Sequence, residues 1–115
     1  MRMRGVGVDV VCLGHLETVF TDTFRDAVFS DREIAYAEAS GWPLAHYATT
    51  FAGKEAVKKA IDSDLPVGPA IEIRRDAIGK PTVSLTGDRT GLDGSRILLS
   101  LAFDGDYAVG FALCW

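Results

Sequence analysis

The order of the expected strands and helices predicts an α+β fold, in which one long helix packs on a small, mainly antiparallel sheet. Strand-like alternation occurs at residues 4–11, 70–75 and 82–85, and a final hairpin covers residues 97–103 and 107–113. The helical segments are grouped between the first strand and the second, whereas a parallel sheet would alternate strands with helices. At 115 residues, the chain has room for one domain, residues 1–115, with one modest core.

Local signals mark where the expected helices begin. Helical character runs from Thr18 to Val28. Ser30 and Glu33 then form a capping box that begins a helix reaching to about residue 39. Pro43 opens the longest helix, over about residues 43–61, because proline is well tolerated in the first turn of a helix.

Turn-forming residues separate the later elements. The segment Asp62-Ser63-Asp64-Leu65-Pro66 ends the long helix, and Gly79-Lys80-Pro81 forms a turn that leads into a strand. Residues 86–95 are polar and rich in glycine, so we expect a loop there. Asp104-Gly105-Asp106 forms the turn of the last hairpin.

The first strand carries one carboxylate among apolar and small residues. In Gly5-Val6-Gly7-Val8-Asp9-Val10-Val11, alternation puts the valines 6, 8 and 10 on one face and Asp9 on the other, beside the two glycines. A strand this apolar is typical of one that is buried on at least one side. Asp9 is therefore either a strand-end residue whose side chain bonds to the local backbone and caps the next turn, or a functional carboxylate.

A second carboxylate interrupts the apolar stripe of the long helix. Glu55 continues the helical spacing of Leu44, Ala48 and Phe51, and Lys59 follows one turn later. Glu55 can simply pair with Lys59, a contact that contributes about 0.2–0.5 kcal/mol on a helix. However, a buried carboxylate is costly unless it is paired or coordinates a metal. Two carboxylates beside lysines are typical of a Mg²⁺ site that substrate phosphates complete.

Composition limits the class of partner and the compartment. The net charge of −4 and the pI of about 5.0 argue against binding to nucleic acid or to an anionic membrane. Cys12 and Cys114 are too few for a disulfide framework, and we interpret both as buried free thiols, so we expect a cytoplasmic protein. We interpret His15 and His46 as surface or helix-end residues. No stretch has the length of a membrane span.

Several segments together resemble one known family. They are Gly5-Val6-Gly7-Val8-Asp9-Val10-Val11, Phe29-Ser30-Asp31-Arg32-Glu33, Phe51-Ala52-Gly53-Lys54-Glu55-Ala56, Ile71-Glu72-Ile73-Arg74-Arg75-Asp76, Gly79-Lys80-Pro81 and Asp106-Tyr107-Ala108-Val109. In their order and spacing the chain resembles holo-[acyl-carrier-protein] synthase, the small bacterial type of 4'-phosphopantetheinyl transferase. The resemblance covers almost the whole chain and implies the 4'-phosphopantetheinyl transferase-like fold.

The resemblance also implies a reaction, a partner and a site. The family transfers 4'-phosphopantetheine from coenzyme A to a serine of an acyl carrier protein, and family members of this size are homotrimers with the active site between subunits. It implies that Asp9 and Glu55 bind Mg²⁺ and act in catalysis with Lys59, which lies near the pyrophosphate. Lys54 points about 100° away from Glu55 around the helix, so the two cannot share one face. The cofactor-binding candidates are Lys54, Lys59, Gly79, Lys80, Pro81, Thr50 and Phe103.

This chain departs from the family pattern at several positions. Thr50 stands where the family usually has an arginine that holds a coenzyme A phosphate, and Phe103 stands in place of a histidine that reaches the nucleotide phosphate. Asp62-Ser63-Asp64 replaces a glycine-containing turn close to the phosphates. The first helical segment, which is basic in the family, has Glu17, Asp22 and Asp26 against Arg25. Such a change in charge should slow encounter with an acidic carrier protein.

Three classes of function are therefore open. The first is a Mg²⁺-dependent transferase that uses coenzyme A and an acyl carrier protein. The second is a repurposed enzyme on the same trimeric scaffold, which acts on a small or carrier-tethered metabolite in a pocket made more apolar by Phe103. The third is a non-catalytic module that binds a carrier protein.

Overall fold

The computed structural model describes residues 2–64, 66–86 and 93–115, and these form four helices and five strands. In chain order they are β1 (Gly5–Cys12), α1 (Leu13–Val19), α2 (Asp22–Val28), α3 (Asp31–Glu38), α4 (Pro43–Ala60), β2 (Ile71–Arg75), β3 (Pro81–Leu85), β4 (Ile97–Asp104) and β5 (Tyr107–Cys114). A 3₁₀ turn, Gly94–Arg96, precedes β4. The predicted α+β class is confirmed, because the helices precede an antiparallel part of the chain.

The strands form two antiparallel sheets, where the sequence had predicted one. The larger sheet has the order β1-β5-β4, so that the last strand lies between the first and the last but one. In its register Asp9 lies opposite Gly110, and Gly110 lies opposite Leu101. The smaller sheet pairs β2 with β3, and the turn between them contains Gly79 at a φ of 84°. That positive φ is the conformation that favours glycine.

The first helical region is two helices instead of the single one predicted for Thr18 to Val28. Helix α1 begins directly after β1, and the chain leaves the helical conformation at Phe20 and Thr21. The side chain of Thr21 accepts a hydrogen bond from the backbone N–H of Phe24 at 3.1 Å, which caps α2. The sequence interpretation missed this threonine as a helix N-cap.

Two apolar clusters hold α4 against its surroundings. One lies between the first half of α4 and helices α1 to α3, and its largest fully buried side chain is Phe29. The other lies between the second half of α4 and both sheets, and it includes Val57, Ile73 and Leu99. Helix α4 therefore separates one flank of the molecule, along β1, from another flank, along β2 and β4.

The valine face of β1 is exposed, and the glycine face packs against α4. Val6, Val8 and Val10 are each more than half exposed, and their neighbours across β5 are Leu113, Phe111 and Val109. On β4 the same face continues with Leu98, Ser100 and Ala102. We call this apolar surface the outer sheet face. The sequence pattern indicated two faces on β1, but it did not indicate which of them packs on the helix.

Candidate functional site

Glycines bring α4 into direct contact with the larger sheet. A methyl carbon added at Gly7 would lie 1.9 Å from the carbonyl oxygen of Ala56, and one added at Gly5 would lie 1.9 Å from that of Ala60. At Gly110 the distance to the carbonyl oxygen of Ala52 would be 2.5 Å. Only glycine permits so close an approach of two backbones. The side chains that α4 directs toward β1 therefore lie very near that strand.

Lys59 joins α4 to the carboxylate of β1. Its Nζ donates hydrogen bonds to the carbonyl oxygen of Val8 at 2.9 Å and to Oδ1 of Asp9 at 3.1 Å. The Asp9 side chain is only 19% exposed, whereas that of Lys59 is 52% exposed. The ammonium therefore pairs with a half-buried carboxylate, while about half of the Lys59 side chain is open to solvent.

Glu55 lies one helical turn before Lys59 on the same side of α4. Its side chain is half-buried, and it makes no ion pair among the residues that the structure describes. Lys59 does not pair with Glu55, as one sequence alternative proposed, because its ammonium bonds to Asp9 and to the carbonyl oxygen of Val8. We call Asp9, Glu55 and Lys59 the cluster: Lys59 contacts Asp9, and helical spacing puts Glu55 on the same side of α4 as Lys59.

The two carboxylates of this cluster fit a magnesium ion better than a metal that takes all of its ligands from protein side chains. Within residues 2–64, 66–86 and 93–115, no group of three or more histidine, cysteine, aspartate or glutamate side chains could hold a metal. Two carboxylates are the usual protein contribution to a Mg²⁺ site, and water and substrate phosphates provide the remaining oxygens. Asp9 and Glu55 are the residues that would hold the ion.

Lys54 does not belong to this cluster. Its side chain is fully buried, and its Nζ lies 2.6 Å from Oε1 of Glu33. The predicted role in cofactor binding is therefore not consistent with its position, because a bound cofactor cannot reach an ammonium that is enclosed and already paired. Lys54 is fully buried, whereas its neighbour Glu55 is half-buried, which agrees with the expected divergence of the two side chains around the helix.

The other predicted cofactor-binding residues lie on the opposite flank of α4. Thr50 is buried beside a cavity of about 180 Å³ on the β2 side, and three arginines line that cavity, namely Arg32, Arg74 and Arg75. The turn Gly79-Lys80-Pro81 follows β2, and Nη1 of Arg75 donates a hydrogen bond to the carbonyl oxygen of Gly79 at 3.2 Å. Arg75 connects this turn to the wall of the Thr50 cavity.

Phe103 belongs to an aromatic surface near the start of α4. Its ring meets Trp42 edge-on at a centroid distance of 5.6 Å and His46 at 6.4 Å. His46 in turn contacts Tyr36, and the guanidinium of Arg75 stacks over Tyr36 at 5.0 Å. His46 is half-buried among these rings and lies near the start of α4, so of the two expected positions the structure has the helix end and not the surface. Burial, and to a smaller extent Arg75, lowers the pKa of His46.

The two thiols are both free, as the sequence predicted. Cys114 is fully buried, whereas Cys12 is only half-buried. Among the described residues, no helix is long and apolar enough to cross a membrane.

Comparison with known proteins identifies the family. The model of the 4'-phosphopantetheinyl transferase superfamily matches residues 5–112 of this chain. The chain therefore belongs to that superfamily, and the predicted resemblance is confirmed.

The relatives share one name. The chain is 31% identical, over 96% of its length and 97% of the relative, to the holo-[acyl-carrier-protein] synthase of Thermodesulfovibrio yellowstonii. Among solved structures, the holo-[acyl-carrier-protein] synthase of Neisseria meningitidis matches 99% of both chains with a TM-score of 0.85 and 25% identity. The ACPS–CoA complex of Chronobacterium ammoniagenes matches 98% of this chain and 96% of that one, with a TM-score of 0.81 and 28% identity. The predicted fold is therefore confirmed.

Proposed function

We propose that this protein transfers 4'-phosphopantetheine from coenzyme A to a serine of an acyl carrier protein in a Mg²⁺-dependent reaction. One observation carries the proposal: Lys59 bonds to Asp9 where α4 meets β1, and Glu55 lies one helical turn before Lys59. The names of the relatives and the coenzyme A complex of a family member support the choice of substrates. In the reaction the serine hydroxyl attacks the β-phosphorus, the pyrophosphate bond breaks, and adenosine 3',5'-bisphosphate and the hydroxyl proton are released.

The residues of the cluster divide the work of binding a pyrophosphate. Asp9 and Glu55 would hold Mg²⁺, and the ion supplies positive charge that neutralises and orients the phosphates. In the part of the chain that the structure describes, Lys59 is the cation in contact with Asp9, and more than half of its side chain is open to solvent. Its ammonium is therefore positioned to donate hydrogen bonds to a phosphate oxygen when the charge of Asp9 is balanced by the metal.

The missing phosphate contacts at Thr50 and Phe103 have candidate replacements nearby. Arg74 and Arg75 line the cavity beside Thr50, and Lys80 lies in the turn that Arg75 contacts. Arginine binds phosphate through two parallel hydrogen bonds, so a guanidinium from β2 can replace one from α4. We propose that these residues, together with Gly79, Pro81 and Phe103, contact the nucleotide part of coenzyme A.

We further propose a homotrimer in which each active site uses two copies of the chain. Within one copy, α4 separates Asp9 and Lys59 from the Phe103 and Gly79 side, so a single copy does not bring all the proposed contacts to one ligand. The outer sheet face provides an apolar surface on which copies can pack, since it is continuous over three strands, with Ser100 inside it and Asp104 at the end of β4 as polar positions.

The proposed partner meets a surface that is not complementary in charge at α1 and α2. Arg25 is already paired with Asp22 at 3.4 Å and with Asp26 at 3.0 Å, so it is not free to attract an acidic partner. We therefore expect slow association with a strongly acidic carrier protein and a weak dependence of that rate on salt. We also propose a cytoplasmic location, which agrees with two free thiols.

The proposal is tested by mass spectrometry of apo carrier proteins. The purified protein is incubated with coenzyme A, Mg²⁺ and several apo carriers, and a carrier that gains the mass of phosphopantetheine supports the proposal. No modification of any carrier, combined with no binding of coenzyme A by calorimetry, contradicts it.

A second candidate is a repurposed enzyme on the same scaffold. The observation that favours it is the aromatic contact between Phe103 and Trp42, since two half-exposed rings stand where a phosphate-binding group is expected. Such a surface suits an apolar or planar group better than a phosphate. Binding of coenzyme A without transfer to any carrier is the result that would favour this candidate over the first.

A further inference from the structure

The carboxylate of Glu33 ties three elements together in the interior. Oε1 accepts hydrogen bonds from Nζ of Lys54 at 2.6 Å and from the backbone N–H of Ser30 at 2.8 Å. Oε2 accepts one from the backbone N–H of Ile73 at 2.8 Å. The side chains of Glu33 and Lys54 are both fully enclosed. The pair therefore joins α3, α4 and β2 at one point.

This pair fixes the rotation of α4 about its own axis. Lys54 and Glu55 are neighbours in sequence, so their side chains leave the helix about 100° apart. With Lys54 held toward Glu33, Glu55 is directed away from the interior, and Lys59 follows on the side of Glu55 one turn later. Gly53 adds to the constraint, because a methyl carbon there would lie 2.6 Å from Ile73 and 2.8 Å from Leu101.

Stability alone is a weak reason for such a pair. Two charges removed from water lose hydration energy that their attraction only partly restores, and apolar replacements of similar volume often give an equally stable protein. Burial accordingly lowers the pKa of Lys54, against the opposing effect of Glu33. An apolar contact would hold the elements together without fixing their orientation. The short hydrogen bond of the ion pair, by contrast, defines the position of both partners.

We propose that Glu33 and Lys54 are positioning residues, which hold α4 in the rotation that brings Glu55 and Lys59 to Asp9. The inference rests on the proposed function only in that the positioned cluster binds Mg²⁺ and phosphates. It gives Lys54 a role that does not require contact with coenzyme A. A change of the pair should therefore alter metal binding and turnover more than it alters the binding of coenzyme A.

The test uses the double variant Glu33→Gln with Lys54→Met, which removes both charges; the amide keeps one acceptor oxygen, for the backbone N–H of Ser30 or of Ile73. Single variants leave an unpaired buried charge and can fail to fold, so the double variant carries the test. Lys58→Met, the same substitution on a half-buried neighbour in α4, is the control. The readouts are the melting temperature, the calorimetric affinity for Mg²⁺, and kcat and KM for coenzyme A.

We expect the double variant to fold and to melt about 5–10 °C below the wild type, because one of those two backbone N–H groups loses its acceptor. Its affinity for Mg²⁺ should fall about tenfold or more, as is usual when groups that orient metal ligands are changed. Its kcat should fall about 10- to 100-fold with KM for coenzyme A nearly unchanged, while Lys58→Met behaves like the wild type.

Unchanged Mg²⁺ affinity and kcat in a folded double variant would overturn the proposal, and so would a wild-type protein that binds no Mg²⁺. If the wild type binds Mg²⁺ but transfers nothing, the proposed function fails, and the metal affinities alone decide the role of the pair.

Discussion

Replacing Gly7 with alanine should separate the two halves of the proposed active site. The added methyl carbon would lie 1.9 Å from the carbonyl oxygen of Ala56 and 2.9 Å from the backbone nitrogen of Ala60. Both contacts are with backbone atoms, so no change of rotamer can relieve them. Helix α4 must move away from β1 by roughly 1.4 Å to restore an ordinary carbon–oxygen contact of about 3.3 Å.

That displacement acts directly on the cluster, because Ala56 and Ala60 flank Lys59 and follow Glu55 on the same helix. A misplacement of about 1 Å at a reacting group can reduce the rate about 100-fold, so we expect a fall in kcat of that order. The free energy of unfolding should decrease by about 1–3 kcal/mol, as for other overpacked interiors.

The assay is the rate of phosphopantetheine transfer to an apo carrier protein, measured beside thermal melting. Gly41→Ala is the matched control, since a methyl carbon at Gly41 meets nothing within 4 Å. If Gly7→Ala keeps both the wild-type kcat and the wild-type melting temperature, the close helix–strand contact does not position the cluster and the reasoning is wrong.

Three more predictions concern the charge of His46, the outer sheet face and the aromatic surface. Because burial lowers the pKa of His46, its neutral ring favours the folded state above a pH of about 6.5, and this contribution is lost as the pH falls through the lowered pKa. His46→Phe should therefore flatten the decrease in melting temperature from pH 7 to pH 5, and a decrease as steep as that of the wild type would contradict this. Val8→Asp should give a monomer by light scattering. Val19 is an equally exposed valine in α1, and Val19→Asp should remain a trimer. A monomeric wild type would contradict the proposed assembly. Phe103→His should tighten binding of coenzyme A about tenfold in calorimetry, since a charge-assisted hydrogen bond contributes about 1.5 kcal/mol or more; unchanged affinity would show that Phe103 does not face the nucleotide.

Elements with local signals were predictable from the sequence. The capping box of Ser30 and Glu33 is present with both of its hydrogen bonds, at 2.8 and 3.2 Å. Helix α4 begins at Pro43 and ends one residue before the predicted end, and the last hairpin turns at Gly105 with a φ of 57°. In each case the element is marked by a hydrogen bond or a backbone conformation that involves only residues close together in the sequence. These features therefore do not depend on tertiary packing.

Features that depend on distant contacts were not predictable in the same way. Alternation in β1 separates the valine face from the glycine face, but only the packing of α4 decides which face is buried. Likewise Lys54 and Lys59 are both helix lysines in the sequence, and one is enclosed with Glu33 while the other is exposed beside Asp9. The small residues around Lys54 were an available signal, because a lysine between Gly53 and Ala56 lies where a helix packs closely.

The most direct test of the central claim measures the mass of an apo carrier protein after incubation with coenzyme A and Mg²⁺. The incubation is carried out with the wild type and with each of the isosteric variants Asp9→Asn and Glu55→Gln. If the two carboxylates hold the metal, the wild type adds one phosphopantetheine, and each variant adds none in the same time while thermal melting shows that it stays folded. Asp9→Asn removes the ion pair with Lys59 but keeps an acceptor oxygen for the ammonium, so the loss of stability there should be small, about 0–1 kcal/mol. If either variant modifies the carrier at the wild-type rate, the assignment of Asp9 and Glu55 as the reaction centre is contradicted.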